Sequence, residues 1–347
     1  MAPTLTVGVD GIPASRSAAL WAAEEAALRD ALLRVVRVQP PGSSPDTPDS
    51  APLGPHHTGS GAPGSDASGP GPADSRPGGS GPTDSDPAGQ RPAGGELLID
   101  PSLAPLAHDL TDRHPGLRLD ALLLPGEPKE ALRELSRSSD LLVVGSRGLG
   151  AVRGFLVGSV ALPTVAQADC PVVLVRAGTE SGGRTGDEGE GDEAGTGARG
   201  GETAPPGGIA VGVDVHTPCE EMLRFAFDEA RIRSAPLKVR HGWNPPPVYG
   251  ARPFPLAATA LEDVLATRAD ALTRMLRPWC AAYPDVTVDA RAVLTPPTGL
   301  LVETAADASL LVVGRNRRRP LLVPHLGPIT HGVLNHAPAP VAVVPHT

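Results

Sequence analysis

Two segments of this chain repeat one another, and no other feature restricts its fold as strongly. The first opens with an apolar strand ending in aspartate, LTVGVDG at 5–11; the second opens with GIAVGVDV at 208–215. Each continues into an amphipathic helix, SAALWAAEEAALRDALL or PCEEMLRFAFDEARIRS, and then a short strand, RVVRVQP or LKVRHGW. An intervening segment and a further helix come next, PSLAPLAHDLTDRH or LEDVLATRADALTRMLRPWC. A strand (LRLDALLLPG; VTVDARAVLT) and a short helix (PKEALRELSRS; TGLLVETAAD) follow. An all-apolar strand then ends in glycine, DLLVVG or SLLVVG, and a last strand follows proline, CPVVLVRA or APVAVVPHT. Apolar runs without polar alternation predict strands covered on both faces. Strands alternating with helices predict right-handed crossovers and a mostly parallel sheet. The expected fold is α/β, with two tandem open doubly wound parallel-sheet domains whose ligands bind beyond the carboxyl ends of the strands.

Composition explains what lies between the repeats. Gly 41 and Pro 41 in 347 residues are far above ordinary usage. They concentrate at 39–95, a tract of Pro, Gly, Ser, Asp and Ala that cannot bury enough apolar surface to offset its ordering entropy, so disorder is expected there. A second such tract, 177–207, carries Asp187, Glu188, Glu190, Asp192 and Glu193 and reads as a self-repelling tether. The domains are expected at 1–176, with 39–95 as an insertion, and at 208–347. Aromatic residues are 3% of the chain, so the cores must be built from Ala, Val and Leu. The net charge of −9 argues against a chain built to bind nucleic acid or an anionic membrane. Cys170, Cys219 and Cys280 form no CxxC pair and read as free thiols in a reducing compartment. The opening MAPTLTVGVDG shows no secretion signal, and no apolar run approaches the ~20 residues that span a bilayer. A cytoplasmic location is expected.

The stretch VVGSRGLGAVRGFLVGSV, from Val143 to Val160, carries the functional signal. Val144 is expected to end a buried strand, and Gly145 to open a loop at the carboxyl edge of the sheet. Gly145 and Gly148 permit positive φ and leave no Cβ against a ligand. Gly158 and Ser159 read as the start of the next helix, where free N–H groups and the positive dipole end suit phosphate. The spacing G-x2-G-x9-G-S is neither GxxxxGK[ST] nor the dinucleotide fingerprint, because Arg153 stands where a third glycine belongs. Pro163 falls inside the expected helix, where it would remove a backbone bond.

VVGSRGLGAVRGFLVGSVA and the opening VGVDG resemble the universal stress protein family in its tandem form. The resemblance covers both ordered halves and implies a Rossmann-like fold of the adenine nucleotide alpha hydrolase type. It implies that Asp10 receives the adenine–ribose end of ATP, with or without Mg, and that Val38 packs beside the adenine. By the same resemblance Gly145, Gly148, Gly158 and Ser159 hold the triphosphate, and Val144 and Val160 add backbone contacts. Arg147 is close to the phosphates in sequence. Gly126-x-Pro128 matches the family's loop after the fourth-strand region. The insertion at 39–95 is longer than the family usually carries between its second strand and second helix. The last strands of the two halves are expected to pair, as they do between domains in the family.

The second half keeps the frame and loses the phosphate residues. Matching Gly145 to Gly314 sets Gly148 against Arg317, Gly158 against Gly327, Ser159 against Pro328 and Gly126 against Thr295, while Asp214 retains the first-strand aspartate. Arg317 would not tolerate positive φ and its side chain would enter the phosphate space; Pro328 suits a first helical turn but offers no N–H. The run Arg315, Arg317, Arg318 and Arg319 reads as a solvated loop, with an anion or anionic partner as the alternative. His325, His331, His336 and His346 show no metal-ligand spacing. No nucleophile, base or carboxylate pair accompanies the glycine loop, so the expectation is a nucleotide-binding regulatory protein rather than an enzyme. A weak ATPase or nucleotidyl transferase, and an interaction module without nucleotide, are the alternatives. Further expected partners are a homodimer mate and an unidentified client protein.

Overall fold

Eleven strands form one continuous sheet in the computed structural model, whose described residues are 2–40, 98–146, 158–177, 207–244, 258–317 and 326–347. The expected disordered tract lies outside these residues except at its start, where Gln39 is the last residue of the second strand, paired with Pro125, and Pro40 follows it. The acidic tether lies outside them except for its end residues Ala177 and Gly207, as do Arg147, Gly148, Arg318 and Arg319. In chain order the first half runs β1 (Thr4–Val9), α1 (Pro13–Leu28), β2 (Leu32–Gln39), the short β3 (Leu98–Ile99) and α2 (Ala104–Arg113). It continues through β4 (Arg118–Pro125), α3 (Pro128–Leu135), β5 (Leu141–Ser146), α4 (Ala161–Gln167) and β6 (Val172–Arg176). The second half runs β7 (Gly208–Gly212), α5 (Glu220–Ile232), β8 (Leu237–Gly242), α6 (Ala258–Ala282) and β9 (Val288–Val293). It ends with α7 (Pro297–Ala305), β10 (Ala308–Asn316), α8 (Pro328–His336) and β11 (Val341–His346).

The strand order is β3-β4-β2-β1-β5-β6-β11-β10-β7-β8-β9. All neighbours are parallel except β3 with β4 and β6 with β11. The sequence leads to two doubly wound units, and each is present. They are fused into a single sheet because the last strands pair antiparallel, Val172 opposite Val343 and Leu174 opposite Val341. Strands β5, β6 and β11 and the middle of β10 are nearly continuously buried, as their unbroken apolar runs require, whereas β4 and β9 near the sheet's two ends are mostly half-buried or exposed.

Side chains alternate to two faces. Leu5, Val7, Leu33 and Val143 join α1, α2, α5 and α6 in one core; Leu142, Val144, Val172 and Leu174 join α3, α4, α7 and α8 in the other. The first core is dominated by Ala, Val and Leu, with one aromatic cluster in which Phe227 of α5 stacks on Trp279 of α6. The VGVD sequence owes its glycine to packing against the other core. A Cβ at Gly8 would lie 3.0 Å from Leu132 of α3, and one at Gly212 would lie 2.6 Å from Leu301 of α7.

The repeats meet across an approximate two-fold arrangement. The same sequence offset relates Glu25 to Glu229 and Arg29 to Arg233, and these four form a ring of ion pairs between α1 and α5. Arg29 and Arg233 each bind both carboxylates, and Glu25 and Glu229 are fully buried. On the opposite face, Arg176 donates to the Leu334 carbonyl at 3.0 Å, and the Arg315 guanidinium donates to the Ala168 carbonyl. This corrects the reading of Arg315 as a solvated loop residue. It belongs to β10, is only 7% exposed and ties the second half to the first.

Candidate functional site

In the first half, β1 lies between β2 and β5, so the chain leaves it in opposite directions along the sheet. A crevice at such a switch point is where open α/β sheets take ligands. Asp10 follows β1 directly and is exposed. Its Oδ1 accepts from the Ile12 N–H at 3.3 Å, and its own N–H donates to Ser15 Oγ at 3.3 Å. Gly11 makes the turn possible with φ +85°, a conformation that other residues adopt at a cost. Ser15 is buried and donates back to the Ile12 carbonyl at 2.9 Å, fixing the entry to α1. Gly11 and Ser15 were not singled out from the sequence; the Asp-Gly dipeptide was the available signal for the turn.

Val38 is half-buried near the end of β2, in register with Leu124 of β4. Gly126 follows β4 with φ +130° and donates its N–H to the Gln39 carbonyl at 3.0 Å, joining the ends of β2 and β4. Among the described residues, a Cβ at 126 or at 158 would meet no atom within 4 Å. Val144 is buried within β5.

Gly145 requires a correction. It is not the first residue of a loop, since β5 continues through Ser146 and Gly145 pairs with Val175. A Cβ there would lie 2.6 Å from the Ala14 carbonyl oxygen and 2.9 Å from the Ser15 nitrogen. The close approach of α1 is enough to demand glycine there, without positive φ. The helix after the loop also begins later than Gly158 and Ser159 suggest. Gly158 has no regular structure, Ser159 and Val160 form a turn, Val160 is the N-cap without a side-chain cap bond, and α4 starts at Ala161. Leu162 N–H still reaches the Gly158 carbonyl at 3.2 Å. Pro163 therefore stands in the first turn, where N–H groups have no helical partner and proline removes nothing.

The universal stress protein family model matches residues 1–59, 83–176 and 208–345. The chain belongs to the universal stress protein family. Among its relatives are universal stress protein Rv1996 of Mycobacterium tuberculosis, 29% identical over 356 residues, and Rv2005c of the same species, 28% identical over 339 residues. These alignments cover 98% of this chain in both cases, and 94% and 96% of the relatives. A universal stress protein crystal structure from Archaeoglobus fulgidus DSM 4304 matches 99% of this chain and 98% of its own length, with TM-score 0.55 and 11% identity. At that identity the likeness speaks for the tandem fold alone.

In the second half of this universal stress protein, the equivalent edge is built differently. Helix α5 starts only at Glu220, capped by Cys219, whose Sγ accepts from the Met222 N–H at 3.4 Å and whose thiol is pushed up to about 11 by burial. The helix therefore does not cover Gly314 as α1 covers Gly145. The nearest atoms to a Cβ at Gly314 would instead be His346 Cδ2 and Nε2 at 3.0 Å and Met222 Sδ at 3.3 Å. A cavity of ≈ 390 Å³ opens there, with Asp214, Arg240, Arg268 and three histidines in its wall. Burial lowers the pKa of one of these, His346.

Arg240 is buried and charge-compensated. It donates to Asp289 Oδ2 at 2.8 Å and to the Asp289 carbonyl at 2.7 Å, and this hydrogen bond holds the Asp289 carboxyl below its usual range. Arg317 does not enter the edge as its sequence position suggests. Its guanidinium pairs with Asp169 of the first half, and its N–H donates to the His346 carbonyl at 2.8 Å. Pro328 occupies the first position of α8 after the N-cap Gly327. Among the described residues no three His, Cys, Asp or Glu side chains gather in a metal-binding group, and no helix is long and apolar enough to cross a membrane.

Proposed function

We propose that this universal stress protein binds ATP, with or without magnesium, at the carboxyl edge of its first half, and acts as a nucleotide-responsive regulator with little turnover. One observation carries the reading: Asp10 at the end of β1 and Gly145–Ser146 at the end of β5 stand on the two sides of the switch point. Gly158 supports it, since among the described residues no neighbour requires glycine there. In this reading Asp10 bonds the ribose and Val38 lies against the adenine. Gly126 forms the rim, and Val144, Gly145, Arg147, Gly148, Gly158, Ser159 and Val160 surround the phosphates. Gly145 contributes main-chain atoms, its missing side chain being used by α1. Residues 1–176 and 208–347 serve as the two domains, with 177–207 as the tether.

Mass spectrometry of the supernatant from denatured, purified protein tests the proposal. The wild type is expected to release adenine nucleotide, and Gly148→Arg, the residue found at the matching second-half position, is expected to release at least ~10-fold less. A wild type without nucleotide that also takes up none from added ATP refutes the reading.

A further inference from the structure

We propose that the second-half cavity is a binding site for a small organic anion, gripped by Arg268 instead of a glycine loop. Its ≈ 390 Å³ falls within the range of small-molecule pockets. Arg268 reaches it from α6 and is held in place by three aromatic rings. Its NH1 lies 3.1 Å from His216 Nε2 and 3.1 Å from His241 Nε2. A guanidinium only donates, so both nitrogens accept. His241 therefore carries its ring proton on Nδ1, which donates to the Val213 carbonyl at 3.0 Å. The guanidinium carbon stands 4.4 Å over the Trp243 ring.

This half-buried cation makes no ion pair among the described residues, and its Nε and NH2 make no hydrogen bond there. The other arginine of the cavity, Arg240, has Asp289. Asp214 lines the same cavity, but its carboxylate accepts from His216 N–H and Thr217 Oγ1, both at 3.0 Å, and serves its own loop. Residues 245–257 and 318–325, which follow β8 and β10 in the chain, contain no Asp or Glu. Withdrawing a cation from water without a counter-charge is costly, and holding it rigid with free donors prepares it for an incoming oxyanion. Met222, Leu301, Val313 and Ile329 add an apolar part to the wall, beside Thr330 and His346. Those surfaces fit a ligand with an oxyanion head, carboxylate or phosphate, on a compact apolar body. The site is independent of the nucleotide reading for the first half.

Ligand-observed NMR titrations of the full chain with benzoate, phenyl phosphate, acetate and inorganic phosphate test this. Benzoate or phenyl phosphate is expected to bind with a dissociation constant of about 1 mM or tighter, the better of the two identifying the head group. Acetate and inorganic phosphate, lacking the apolar body, are expected to bind at least ~10-fold more weakly. Arg268→Gln is expected to weaken the aromatic probe at least ~10-fold while leaving the melting temperature and the adenine nucleotide released on denaturation unchanged. In the wild type, the bound probe is expected to shift the imidazole resonances of His216 and His241, a readout that needs no variant. Failure of both aromatic probes to bind at about 10 mM overturns the proposal. Binding that leaves those two histidines unmoved, or that a folded Arg268→Gln retains, overturns it as well.

Discussion

At the scale of single residues, the glycines of this chain serve different masters. Gly11 and Gly126 answer backbone demands, with φ of +85° and +130°. Gly145, Gly8 and Gly212 answer packing demands from helices that descend onto the sheet. A sequence shows the glycine but not which neighbour presses on it, and so Gly145 reads as a ligand-facing residue until α1 is placed. Gly145→Ala sets a Cβ 2.6 Å from a backbone oxygen that cannot rotate away. We expect a loss of about 3 kcal/mol in urea unfolding, at the upper end for overpacking by one methyl. Because Ser15 anchors the turn after Asp10, the same variant is expected to release less nucleotide on denaturation.

At the scale of elements, α1 and α5 illustrate a repeat that is retained at one end and changed at the other. Both close identically. Asp30 and Ser234 take positive φ, 47° and 50°, while Ala31 N–H reaches the Ala26 carbonyl and Ala235 N–H the Ala230 carbonyl, each at 2.9 Å. Serine at the left-handed position is strained by about 1 kcal/mol, and glycine recovers this at some cost in unfolded-chain entropy. Ser234→Gly is expected to stabilise the protein by about 0.5 kcal/mol, measured by denaturant unfolding. Their starts differ. Helix α1 begins at Pro13 and its backbone closes over Gly145, whereas α5 begins at Glu220 and Gly314 is met by the side chains of His346 and Met222. The cavity lined by Gly314 and Arg268 lies at that edge.

At the scale of the whole molecule, the halves are joined by the β6–β11 ladder and by the ring of Glu25, Arg29, Glu229 and Arg233 between α1 and α5. Burial and the neighbouring Glu25 carboxylate push the Glu229 carboxyl up to about 7, from an ordinary 4.5, against the pull of Arg233 and Arg29. The folded protein thus holds a proton that the unfolded chain releases at lower pH. The stabilisation linked to that proton is complete below pH 4.5 and is lost as pH rises through about 7. Subtracting the Glu229→Gln unfolding free energy from that of the wild type, point by point from pH 4.5 upward, isolates this group. The difference is expected to fall with rising pH and to level off above about 7.

Residue order alone carried the repeat, the α/β class and the parallel strands, while the pairing of the last strands was expected only from the resemblance to the family. Apolar period, glycine–aspartate strand ends and proline starts are local signals, and residue type alone encodes them. It also brought Asp10, Val38, Gly126 and Val144 to one edge, because strand ends in a doubly wound sheet must share it. Tertiary structure alone decided what touches those residues. The buried place of Arg315, the ring of Glu25, Arg29, Glu229 and Arg233, and the meeting of Arg268 with His216 and His241 depend on how helices far apart in the chain pack. Such contacts are set by distance in space and by the loss of water around charge, and neither is written in the order of residues.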